Sequence, residues 1–183
     1  MISYVDCPVF IYTEYGEQLG TNIVSQYEHA IKQIEMREPL PPALQNGGSC
    51  RLLILAEPHP REYMATVRRD RGRLIFALYK GKNKEHRKEM RHAVNVSAWV
   101  ETFICDEVPH KLCESLQVEF VNISISGVRF KAVPNFLHNN DKVQFRMKLA
   151  DKEKVLAAEV LNSAETGETA AYGCRFVKVG GVK

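Results

Sequence analysis

Two short stretches of this chain carry side chains whose types and spacing can do chemistry: Arg87-Lys-Glu-Met-Arg91 and Asn122-Ile-Ser-Ile-Ser-Gly127. Arginine is a planar, permanently charged fork of donors. It binds phosphate oxygens through charge-assisted hydrogen bonds, pairs with O6 and N7 of guanine, and stacks on a base, whereas lysine supplies only the phosphate part. On an extended chain Asn122 and Ser124, two residues apart, point the same way, so an amide and a hydroxyl can form hydrogen bonds along one flat edge. Gly127 has no Cβ, which permits either a positive φ at a strand end or a close approach of a ligand to the backbone. Each of these is a binding capability; none is a reaction.

Signatures of catalysis are missing. The chain has no glycine-rich loop ending in Gly-Lys-Ser/Thr, no His-Glu-x-x-His and no Gly-x-Ser-x-Gly, and its six histidines are scattered. No catalytic residue is expected. The five cysteines form no Cys-x-x-Cys pair, which predicts reduced thiols that act as small buried hydrophobes. Cys105, His110 and Cys113 lack the paired spacing and fourth ligand of a zinc site, so no metal is expected.

Charge narrows the partners. The net charge of +3 is small, but two basic clusters stand out, Arg68-Arg-Asp-Arg-Gly-Arg73 and the run from Lys80 to His92. Neither interleaves the aromatic side chains on which bases stack, so neither DNA nor RNA is an expected partner. No apolar run approaches the roughly 18 residues that span a bilayer, and the first residues lack the basic-then-apolar order of a signal peptide. The expectation is a cytoplasmic protein without membrane insertion.

The elements that position these residues follow a period of two. Val143, Phe145, Met147 and Leu149 alternate with Gln144, Arg146 and Lys148, the pattern of a strand with one buried face. Leu116, Val118 and Phe120 alternate likewise until the apolar phase shifts to Val121, Ile123 and Ile125, which predicts a bulge or bend just before Gly127. Further strands are expected at 93–104, 128–133, 155–162 and 172–179, and a similar set at 9–12, 20–27, 30–36, 50–56, 61–68 and 73–79. Residues 24–36 also show helical spacing, although the turn residues around them favour two strands. Trp99 is expected in the core of the C-terminal half. Many short strands with turn signals read as barrels, so the predicted fold is all-β, two small β-barrels in tandem. The charged, apolar-poor segment Lys80 to His86 has the chemistry of a linker, which puts the expected domains at 1–82 and 83–183.

Taken together and in order, the two motifs resemble the PilZ domain, whose signatures are Arg-x-x-x-Arg and Asp/Asn-x-Ser-x-x-Gly. The tail Tyr172-Gly-Cys-Arg-Phe-Val177 is similar to that family's closing strand, so the likeness covers residues 85–180. The resemblance implies a non-catalytic receptor for the second messenger cyclic diguanylate (c-di-GMP), with no cofactor besides that ligand. Arg87 and Arg91 would grip guanine and phosphate; Asn122, Ser124 and Gly127 would line a base-edge pocket. His86 stands where many members carry another arginine, which bears on whether one ligand or a stacked pair is bound. Asn122 replaces the commoner aspartate and so loses a charged acceptor for guanine donors.

The tandem arrangement is similar to that of the flagellar brake (YcgR-like) family. It implies that ligand at the junction reorients the two barrels and regulates motility or exopolysaccharide output through a protein partner, such as a flagellar motor or polysaccharide synthase component. The competing readings are a PilZ-like adaptor that binds no nucleotide, a basic barrel that binds RNA or single-stranded DNA, and a dinucleotide hydrolase, for which the metal cluster or acid–base pair is missing.

Overall fold

The computed structural model describes residues 3–57, 59–80 and 89–178. Among them the chain forms twelve strands and no helix. It divides into two units, Met1–Met90 and Arg91–Lys183. The expected boundary at 82/83 lies outside the described residues.

The first unit contains β1 (Pro8–Tyr12), β2 (Gln18–Glu28), β3 (Gln33–Met36), β4 (Ser49–Ile54), β5 (Arg61–Asp70) and β6 (Arg73–Tyr79). They close in the order β1-β2-β3-β6-β5-β4, with β1 antiparallel to β4, so no strand edge is left open. Val9, Ile11, Leu52, Ile54 and Phe76 fill the interior. Residues 24–36 form a hairpin, not a helix: Val24 pairs with Met36 and Tyr27 with Ile34. Val24 and Ile34 are buried, but Ile31 is 60% exposed at the turn, so the helical stripe has no common face to bury.

The second unit contains β7 (His92–Cys105), β8 (Val108–Ile123), β9 (Gly127–Ala132), β10 (Lys142–Leu149), β11 (Lys152–Thr166) and β12 (Thr169–Val177). Their order β10-β11-β12-β9-β8-β7 closes a second barrel through the β7–β10 pair. Its core is aromatic. Phe130 lies 5.0 Å from Phe145 and 5.3 Å from Tyr172, and Phe120 lies 5.2 Å from Phe145. Each such ring contributes about 1.5–3 kcal/mol on burial, and a slip of one residue would turn it outward, so the core specifies the register.

Three expectations need correction. Trp99 lies on the outer face of β7, because the inward positions of that strand belong to Ala98 and Val100; its ring carries the Arg146 guanidinium 5.9 Å from the centroid. Cys105 and Cys113 are exposed, while Cys50 and Cys174 are buried as expected. β8 begins at Val108, well before Leu116, across a turn in which Asp106 and Glu107 both have positive φ (48° and 64°), the geometry of a two-residue hairpin.

Candidate ligand-binding site

The second motif forms the corner between β8 and β9. The pairing of these strands is irregular between Phe120 and Asn122, where the apolar phase of the sequence shifts. Phe120 and Ile123 both face the core, and the extra residue turns Asn122 outward between its Cα partners Ala93 on β7 and Arg129 on β9. Ser124 is 6% exposed. Its N–H donates to the Gly127 carbonyl at 2.8 Å, and its hydroxyl accepts from the N–H groups of Ser126 (3.3 Å) and Gly127 (3.2 Å). The hydroxyl is therefore a brace inside the corner, satisfying backbone donors that a turn leaves unpaired.

Gly127 is required by the chain itself. A Cβ there would fall 2.0 Å from the Cys174 carbonyl oxygen on β12, and the φ is not in the left-handed region. Of the two reasons the sequence left open, the operative one is close approach, and the approaching group is the neighbouring strand. Ser126 completes the anchorage by accepting the Phe176 N–H at 2.7 Å.

The first motif is described at its second arginine; Arg87 and His86 lie outside the described residues. Arg91 is exposed and directly precedes β7, where His92 pairs with Ile123 and Ala93 with Asn122. Arg91 and Asn122 thus arrive at the same end of the second barrel. The reading of the motifs missed Arg129, two residues beyond Gly127 and outward on β9. The signal was there: Val128 and Phe130 continue the inward phase, so the arginine between them must face out.

The arginines of the described second barrel fall into two kinds. Arg146 is held by Glu101 (2.6 Å) and Glu153 (2.9 Å), and Arg175 by Glu159 (2.9 Å). The hydrogen bond to Arg146 holds the Glu101 carboxyl below its usual range, and both carboxylates raise the guanidinium. Arg91 and Arg129 have no carboxylate partner among the described residues. Burial pushes the Cys174 thiol beside the corner up to about 12, so it is no nucleophile near neutral pH. At the opposite end of β7, an open depression of about 420 Å³ is lined by Asp106, Glu107 and Asp141 with Lys142, a set that repels phosphate.

Among the described residues no group of three or more His, Cys, Asp or Glu could hold a metal ion. No described helix is long and apolar enough to cross a membrane, which says nothing of strands.

A family model described as PilZ domain matches residues 85–181. No curated protein matches. Among solved structures, the Bacillus subtilis inhibitor of motility MotI/DgrA is 11% identical, over 95% of this chain and 88% of that one, with a TM-score of 0.39. K. pneumonia MrkH, in its c-di-GMP complex, is 14% identical over 94% of this chain and 79% of its own, with a TM-score of 0.39. Escherichia coli YcgR in complex with c-di-GMP is 11% identical over 94% and 76%, with a TM-score of 0.38.

Proposed function

This chain belongs to the PilZ domain family, and on that premise we propose that it is a non-catalytic receptor for c-di-GMP. The observation that carries the reading is the β7–β8 register: Ala93 opposite Asn122 brings Arg91, which has no carboxylate partner among the described residues, to the end of the barrel that holds the second motif. The ligand presents two guanines and two phosphates, and arginine matches both. Arg87 and Arg91 grip phosphate and guanine, Asn122 supplies an edge contact, and the corner braced by Ser124 and Gly127 shapes the base-edge pocket. His86, in place of a further arginine, sets whether one ligand or a stacked pair is held.

The finer reading is a switch that works in the cytoplasm. Arg87 and Arg91 follow the last strand of the first barrel in sequence and precede the first strand of the second, so their binding to a dianionic ligand reorients what they connect. The output is motility or exopolysaccharide production, through a protein partner such as a motor or synthase component.

Isothermal titration of the full chain, purified free of nucleotide, tests the receptor reading. The parent should bind c-di-GMP and not GMP, Arg91→Ala should lose binding while keeping its melting temperature, and the stoichiometry gives the number of ligands. A folded parent that gives no heat with c-di-GMP sinks the reading and leaves a nucleotide-free adaptor.

A further inference from the structure

One row of residues crosses the outer face of the second barrel through five consecutive strands. Ala93 on β7 is opposite Asn122 on β8, Asn122 opposite Arg129 on β9, Arg129 opposite Gly173 on β12, and Gly173 opposite Asn162 on β11. The row begins two residues after Arg91. Its only charge is Arg129, and small residues stand at Ala93 and Gly173. The Asn162 amide lies over Gly173, its Oδ1 2.6 Å from where a Cβ would be.

Directly opposed residues on neighbouring strands have Cβ atoms about 4.5–5.5 Å apart, within reach of a pairing between opposite charges. An aspartate at position 122, the commoner residue of the motif, would stand opposite Arg129 and hold it, as Glu159 holds Arg175 on the next strand. An amide does not. Glu119, the other acid near this part of β8, is opposite Lys131. Among the described residues, therefore, nothing takes the donors and charge of Arg129, which lies at the end of the barrel where Arg91 also lies.

We infer that Arg129 is a third arginine of the ligand site, a specificity-determining residue that takes a phosphate or guanine edge of the ligand, and that the amide at Asn122 keeps it available. The inference rests on the receptor reading above. It also reverses a simple expectation from the motif: restoring the aspartate should weaken binding, because the new carboxylate competes with the ligand for Arg129.

Titration with c-di-GMP of the parent, Arg129→Gln, Arg129→Lys, Asn122→Asp and the Asn122→Asp/Arg129→Gln double variant tests this, with melting temperatures as a control for folding. The expected results are about a tenfold loss or more for Arg129→Gln, as for one good bidentate contact, an intermediate loss for Arg129→Lys, and a loss for Asn122→Asp that disappears in the Arg129→Gln background. A parent that binds while Arg129→Gln binds equally well overturns this inference and leaves the receptor reading standing. Tighter binding by Asn122→Asp than by the parent also overturns it. A parent that does not bind c-di-GMP overturns both.

Discussion

The Cys174 carbonyl oxygen occupies the space into which a Cβ on Gly127 would project, at 2.0 Å, with the Arg175 Cα at 3.1 Å. These are backbone atoms of a paired strand, with Gly127 opposite Arg175, and they cannot swing aside as the end of a side chain can. The glycine of the second motif thus belongs to the barrel before any ligand arrives.

Gly127→Ala should therefore destabilise the second barrel without ligand, by about 1–3 kcal/mol, the range for forcing extra volume into a packed site. Thermal unfolding of nucleotide-free protein measures this. An unchanged midpoint would mean that β9 and β12 can separate at no cost.

Ser124→Ala should cost about 1–2 kcal/mol, because it removes the hydroxyl that accepts from the N–H groups of Ser126 and Gly127 at a position only 6% exposed. Ser124→Thr keeps the oxygen and should recover much of the loss. Urea denaturation of the three proteins separates the brace from a ligand contact, since the brace acts with no ligand present.

Tyr172 anchors the β9–β10 connection from inside the barrel. Its hydroxyl donates to the Val133 carbonyl at 2.9 Å and accepts the Phe136 N–H at 3.2 Å, while its ring stacks on Phe130. Tyr172→Phe keeps the stack and should lose about 1–2 kcal/mol. Hydrogen exchange at the Phe136 amide should quicken in the variant; equal protection would show that another group holds the loop.

Alkaline conditions should destabilise the fold. Burial raises the Cys50 and Cys174 thiols from about 9 to about 12 and also raises Tyr4 and Tyr12. Below pH 9 both thiols are protonated in the folded and the unfolded chain, so their contribution is constant. Above it the unfolded chain binds fewer protons than the folded one, and stability falls as pH rises towards 12. Melting temperatures from pH 7 to 11 should decline above 9, and Cys50→Ala with Cys174→Ala should flatten the decline relative to each variant's own value at neutral pH.

Local sequence carried the strands that have one wet and one buried face. Val143 to Leu149 announced β10 because each apolar side chain enters the core and each neighbour meets water. The first part of β8, Val108 to Ser115, was silent for the complementary reason: nearly every residue there is exposed, so no burial writes a period into it. The phase shift between Phe120 and Ile123 was legible as a bulge, and Trp99 was misplaced because a lone large ring does not say which parity it has until its neighbours Ala98 and Val100 are seen to point inward.

By itself the sequence determined the all-β class, most of the strands, the two motifs and their chemistry, since alternation and residue type are local properties of a chain. Only tertiary structure decided which strands close each barrel, that Gly127 answers to a carbonyl on β12, and that Arg129 faces out beside Asn122. Those facts depend on pairings between residues far apart in sequence, such as Ala93 with Asn122 and Gly127 with Arg175, and they become fixed only when the ring of strands closes and the aromatic core selects one register.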